Sequence, residues 1–74
     1  MDKVRVGIIG LGGRGRYFAG MFDKNPRATL VALADPSARA LELCRNRWGE
    51  QVSYYDSYLQ MLNRPDIDTV VVAS

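Results

Sequence analysis

Three glycines and one aspartate stand at spacings that suit a phosphate and a sugar diol. Gly10, Gly12 and Gly15 form G-x-G-x-x-G within the stretch Val4 to Arg16, and Asp35 follows Gly15 by 20 residues. In such a turn Gly10 permits the tight bend off a strand, Gly12 lets the backbone approach a pyrophosphate with no Cβ in the way, and Gly15 lets the following helix pack closely on the strand. The N–H groups of Leu11, Gly12, Gly13, Arg14 and Gly15, together with the positive end of a helix dipole, are expected to face two phosphates. The Arg14 side chain lies in the first helical turn, where it reaches either an anion or solvent, and solvent is favoured. A carboxylate at Asp35 accepts hydrogen bonds from ribose 2′- and 3′-hydroxyls and repels a 2′-phosphate. NAD is therefore favoured over NADP, with Arg39 one helical turn further on as a residual route to NADP.

A short glycine pattern gains meaning from the elements around it. Val4 to Ile9 is rich in β-branched residues and, apart from Arg5, apolar or glycine on both faces, as in a parallel strand covered on both sides. A helix is expected from Gly13 or Arg14 to Asp23, with Gly15, Phe18, Ala19 and Phe22 at helical spacing and Asn25-Pro26 as the stop. Ala28 to Ala34 reads as a second buried strand. Asp35 also looks like a helix N-cap with Pro36 at the first helical position, a role compatible with binding ribose. Ala38, Leu41, Cys44 and Trp48 form one face of that helix, which Gly49 ends. Gln51 to Tyr55 is expected as a third, edge strand, followed by a brief helix capped by Asp56-Ser57 and carrying Tyr58, Leu59, Met61 and Leu62. After Asn63-Arg64-Pro65 and the turn Asp66 to Asp68, Thr69 to Ala73 reads as a fourth buried strand.

The expected fold is thus α/β: β-α-β-α-β-α-β, the first half of a doubly wound parallel sheet of Rossmann type with spatial order 3-2-1-4. The whole chain, residues 1–74, is one part of a dinucleotide-binding domain. It ends at the carboxyl end of strand four, where the ligand crevice and the second half of the sheet are expected to begin, and is read as a piece of a longer protein.

Composition narrows the classes further. Hydrophobic residues make up 47% and charged residues 24% of the chain, and the net charge is +2, too small to point to a nucleic-acid partner. A single cysteine and no histidine leave no disulfide and no metal cluster to expect, which suits a reducing cytoplasm. No apolar run approaches the roughly 20 residues that span a bilayer, and no secretory leader is evident. Trp48, Tyr54, Tyr55 and Tyr58 are expected as core or sheet-edge aromatics, Cys44 as a small buried residue, and Asp66 and Asp68 as solvated turn residues.

The strings VRVGIIGLG from Val4, LADP from Leu33, YYDSY from Tyr54 with Leu62, and PDIDTVVVA from Pro65 to Ala73 resemble the amino-terminal half of Gfo/Idh/MocA proteins. The resemblance covers essentially the whole chain. It implies an NAD(P)-dependent oxidoreductase acting on sugars, inositols or related polyols, with a following α+β domain that carries the substrate pocket and the homo-oligomer interface. By position it implies that Gly10 through Gly15 form the pyrophosphate turn and Asp35 the ribose contact, with Ala73 and Ser74 approaching the cofactor at the end of strand four. The family's catalytic lysine and later acid and histidine have no counterpart here, so no catalytic residue is assigned and the 74-residue piece is expected to be inactive alone. The Gly12-Gly13-Arg14-Gly15 turn is also similar to that of family members that act as NAD-dependent glycosidases. A non-catalytic module that senses NAD(H) is the remaining alternative.

Overall fold

The computed structural model describes residues 3–73; Ser74, expected near the cofactor, lies outside them. The elements are β1 (Val4–Ile9), α1 (Gly13–Lys24), β2 (Ala28–Ala34), α2 (Ala38–Trp48), a 3-10 turn at Gly49–Gln51, β3 (Ser53–Tyr55), α3 (Tyr58–Leu62) and β4 (Thr69–Val72). The strands form one sheet in the order β3-β2-β1-β4, every pair parallel, as the sequence predicts. Right-handed crossovers place α1 and α2 on one face, because both steps move outward from β1. They place α3 on the other, because its crossover returns past β2 and β1 to β4.

Two apolar clusters correspond to the two faces. Val6, Ile8, Leu30, Leu33, Cys44 and Trp48 belong to the first, where Phe18 and Phe22 of α1 also pack. Ala32, Ala34 and Met61 form the second, with Ile9, Tyr55 and Ile67 against it. Ile8, Leu33 and Met61 are fully buried, and each such side chain removed from water stabilises the fold by about 1.5–3 kcal/mol. The alternation of β2 slips midway: Ala28 and Leu30 face the first cluster, but so does Leu33. The cause is a register shift against β1, where Val6 pairs with Leu30 and Gly7 with Ala32, leaving Val31 as the extra residue.

Several boundaries differ from expectation for identifiable reasons. Helix α2 begins at Ala38, with Ser37 rather than Asp35 as N-cap, its Oγ accepting from the Ala40 N–H at 3.2 Å. Asp35 is held in the sheet ladder because its N–H donates to the Tyr55 carbonyl at 3.0 Å, so Pro36 stays outside the helix. Ala38 is exposed and Leu41 half-buried, so the packed stripe of α2 is carried by Cys44 and Trp48. Gly49 ends α2 as expected, with φ 69°. The Tyr54 hydroxyl donates to the Gly49 carbonyl at 2.8 Å, satisfying a group the helix end leaves open. That bond and the 3-10 turn shorten β3 to three residues.

Strand β4 pairs with β1 but is not buried as expected: Val72 is 68% exposed, because no element among the described residues covers its outer flank. Asp66 and Asp68 are not merely solvated. Arg64 grips both carboxylate oxygens of Asp66 and also reaches the Tyr55 hydroxyl at 3.3 Å. Asp68 accepts from the Arg5 backbone N–H at 2.8 Å and from its guanidinium at 3.0 Å. These charge-assisted bonds hold both carboxyls below the usual carboxylate range. Among the described residues no helix is long and apolar enough to cross a membrane.

Candidate functional site

Strand β1 delivers the chain to the carboxyl edge of the sheet, where it must turn at once into α1. Gly10 makes that turn with φ 92°, a conformation side-chain-bearing residues rarely adopt, and its N–H donates to the Ala34 carbonyl at 2.9 Å. Gly12 caps α1 in an extended conformation, and the first helical bond runs from the Arg16 N–H to its carbonyl at 3.0 Å. The N–H groups of Gly13, Arg14 and Gly15 precede that bond and have no acceptor within the helix.

The loop is open on its outer side and closed on its inner side. A Cβ added at Gly12 or Gly13 would meet nothing within 4 Å, whereas one at Gly15 would lie 1.7 Å from the Gly10 carbonyl oxygen. The same point is 3.7 Å from the Ala73 Cβ. Ala73 is buried and its N–H donates to the Ile9 carbonyl at 2.8 Å, so the end of β4 abuts the turn. Arg14 is exposed, as expected. The outcome is an open stretch of backbone whose leading N–H groups have no acceptor within the helix, at the positive end of a 12-residue helix, a geometry that fits a pyrophosphate.

Leu11 departs from expectation. Its side chain is buried and its N–H donates to Asp35 Oδ2 at 2.7 Å, so it does not face outward with the other amides. Asp35 Oδ1 accepts from the Ser37 N–H at 2.8 Å. The carboxylate thus ties the glycine turn to the start of α2 and is itself held in place. Each oxygen keeps a second lone pair, so a vicinal diol can still donate to both.

Beside Asp35 lies a cleft of about 230 Å³ whose walls include Ile9, Ala34, Pro36, Asp56, Ser57 and Tyr58. The sequence marks Asp56-Ser57 only as a helix cap and Tyr58 as a core or sheet-edge aromatic, whereas Tyr58 is half-exposed. Their signal was their place directly after a parallel strand, since residues at that edge border the crevice in which open α/β sheets bind ligands. A larger concavity of about 560 Å³, bordered by Lys3, Arg5, Thr29 and Asp68, opens at the amino ends of the strands, away from the glycine turn. Its walls are joined by the Arg5–Asp68 pair.

Cys44 is fully buried under the first cluster, and burial pushes its thiol up despite the opposing charge of Arg16. It has neither the exposure nor the thiolate character of a nucleophile.

Residues 4–74 match the family described as "Oxidoreductase family, NAD-binding Rossmann fold", GFO_IDH_MocA. Among curated proteins, the chain is 38% identical to glycosyl hydrolase family 109 protein 2 of Shewanella sp. (strain ANA-3), covering 100% of this chain and 18% of that protein. Among solved structures, it is similar to myo-inositol dehydrogenase from Lactobacillus casei, in complex with NAD(H) and myo-inositol. The identity is 32% and the TM-score 0.88, over 97% of this chain and 22% of that one. Scyllo-inositol dehydrogenase from the same organism, with bound NAD(H) and scyllo-inositol, aligns at 26% identity and a TM-score of 0.86, over 99% of this chain and 22% of that one. The chain therefore spans about a fifth of the length of these proteins.

Proposed function

The chain belongs to the Gfo/Idh/MocA oxidoreductase family, and on that premise we propose that it forms the cofactor-anchoring part of an enzyme passing hydride between nicotinamide and a sugar or polyol. The observation that supports this best is the open cradle over Gly12 and Gly13, with no atom within 4 Å of either added Cβ, above amides that the helix leaves without acceptors. Gly10, Gly12, Gly13, Arg14 and Gly15 hold the pyrophosphate, with Leu11 tying the loop to Asp35. Asp35 holds the adenosine ribose, and Ala73 and Ser74 border the cofactor at the end of β4. NAD, when bound, supplies the hydride acceptor and donor. These residues bind and orient it; substrate binding, proton transfer and homo-oligomer contacts belong to regions outside the 74 residues. The compartment proposed is the cytoplasm.

Asp35 makes the reading testable by calorimetry on the full-length protein. Wild type binds NAD in preference to NADP. Asp35→Ala weakens NAD binding by about tenfold or more, the worth of hydrogen bonds to a charged group, and narrows the preference over NADP. Failure of the wild type to bind either dinucleotide overturns the proposal.

A second reading rests on the curated relatives, which carry the name glycosyl hydrolase family 109 at 33–38% identity. In a glycosidase of this kind the sugar would give up hydride to bound NAD, and the aglycone would leave with a neighbouring ring proton by elimination. Water would then add to the resulting unsaturated ketone, and return of the hydride would give the free sugar. Aglycone release with no accumulation of NADH supports that reading; NADH accumulating from a free polyol supports the dehydrogenase. NAD binding with neither activity leaves the sensing module.

A further inference from the structure

We propose that the groove between the later turns of α1 and the end of α2 docks an acidic segment of a partner protein. An apolar side chain of that segment seats on Tyr17 and Met21, and a carboxylate lies between Lys24 and Arg47. The proposal goes beyond NAD binding and does not depend on it. Lys24 stands about 16 Å along the helix axis from Gly13, at 1.5 Å per residue, so the groove is remote from the glycine turn.

Tyr17, Met21 and Lys24 recur at i, i+4 and i+7 and so form one stripe of α1. Between them and Arg47 lies a concavity of about 290 Å³, with buried Gly20 in its lining. A Cβ at Gly20 would stand 2.7 Å from an Arg47 Nη atom, so the missing side chain lets the guanidinium lie against α1. The guanidinium carbon is also 4.5 Å from the centre of the Trp48 ring. Arg47 is thus held in place before any partner arrives, by contacts that leave its charge unneutralised. It also borders a second concavity of about 290 Å³, with Lys3, Asp23 and Gln51 among its walls. Two hollows that share one wall suit an extended segment crossing Arg47. Tyr17 is 67% and Met21 45% exposed. Aromatic, methionine and arginine side chains are the types enriched where proteins meet proteins.

Charge decides the chemistry of the partner. Helices α1 and α2 carry Arg14, Arg16, Lys24, Arg39, Arg45 and Arg47 against Asp23 and Glu42, six of the chain's ten cations and two of its eight acids. The two helices are thus +4 in a chain of net charge +2. Lys24, Arg45 and Arg47 complement the negative ends of their helices, but Arg14 and Arg39 stand in first turns, where the dipole opposes a cation. Helix stability therefore does not account for the excess. Neither Lys24 nor Arg47 has an ion pair among the described residues, so both charges are open to a carboxylate. Acids and apolar side chains interleaved with these cations suit a peptide better than the unbroken charge of a phosphate backbone.

The test pans a random peptide display library on the full-length protein and measures the selected peptides by fluorescence anisotropy. Selected peptides should carry Asp or Glu beside an aromatic or aliphatic residue. Replacing those acids by Asn or Gln should weaken binding about tenfold, the worth of a hydrogen bond between charged groups, and added salt should weaken the acidic peptides more than the amide ones. The double variant Lys24→Glu, Arg47→Glu should lose the acidic peptides and accept versions with Lys in place of the acids. Tyr17→Ala should weaken binding several-fold with an unchanged thermal midpoint, since that side chain is mostly exposed. Selection of neutral or basic peptides, or of none, overturns the proposal. Equal affinity for acidic and amide peptides also overturns it, and that comparison needs no variant to fold. Peptide binding untouched by both variants places the site elsewhere and overturns it too. A thymidine oligonucleotide bound more tightly than any selected peptide overturns it in favour of nucleic acid.

Discussion

Gly12 and Gly15 are the same residue type three positions apart, yet a methyl group has opposite consequences at the two. At Gly15 it would stand 1.7 Å from the Gly10 carbonyl oxygen, a backbone atom that cannot swing aside. Gly15→Ala should destabilise the protein by about 2 kcal/mol or more, from overpacking, seen as a lower denaturation midpoint. At Gly12 the backbone is already extended and the space is empty. Gly12→Ala should leave the midpoint nearly unchanged yet weaken NAD binding at least tenfold, because the methyl occupies the cradle. A Gly12→Ala protein with normal NAD affinity removes the pyrophosphate from this loop. The glycine spacing was legible in the sequence, because each position has its own steric reason. The coupling of Leu11 to Asp35 was not, since it depends on the distance between two segments 24 residues apart.

The elements are held in register by charges at the amino edge as well as by the apolar core. The Arg5–Asp68 pair joins the start of β1 to the approach to β4, and Arg64 ties the loop after α3 to Asp66 and Tyr55. Both carboxyls have folded-state pKa values below their unfolded ones. Their stabilisation is therefore complete above the ordinary aspartate range near pH 4 and is lost as pH falls through the depressed folded values. Urea midpoints should decline from pH 6 to pH 3, and the double variant Asp66→Asn, Asp68→Asn should show a shallower decline. Equal slopes would assign acid sensitivity to other groups. Element type and order were legible because β-branched runs and helical spacing alternate cleanly along the chain. The slip at Val31 was hidden, since every residue from Ala28 to Ala34 except Thr29 is apolar and no polar alternation marks a face. That slip matters to the site: strict alternation from Ala28 would turn Ala34 to the α1/α2 face, whereas it lies in the second cluster beside the cleft.

At the scale of the molecule, ligand binding and stability are linked. NAD at 100 times its dissociation constant should raise the unfolding free energy of the full-length protein by about 2.7 kcal/mol, provided the unfolded chain has no affinity. NADP at the same concentration should raise it less, read as a smaller shift in thermal midpoint; equal shifts would remove Asp35 as the discriminating group. The chain by itself determined its fold class, its strand order and the location of its glycine-rich turn. These follow from local rules: apolar periodicity, glycine sterics and the handedness of parallel crossovers. Tertiary structure alone decided which groups are already engaged. Folding commits the Leu11 amide and both Asp35 oxygens to each other and to Ser37, clasps Asp66 and Asp68 with arginines, exposes Val72, and leaves Asp56 uncommitted beside a cleft. Such commitments depend on distances between residues far apart in the chain, and a linear pattern does not contain them.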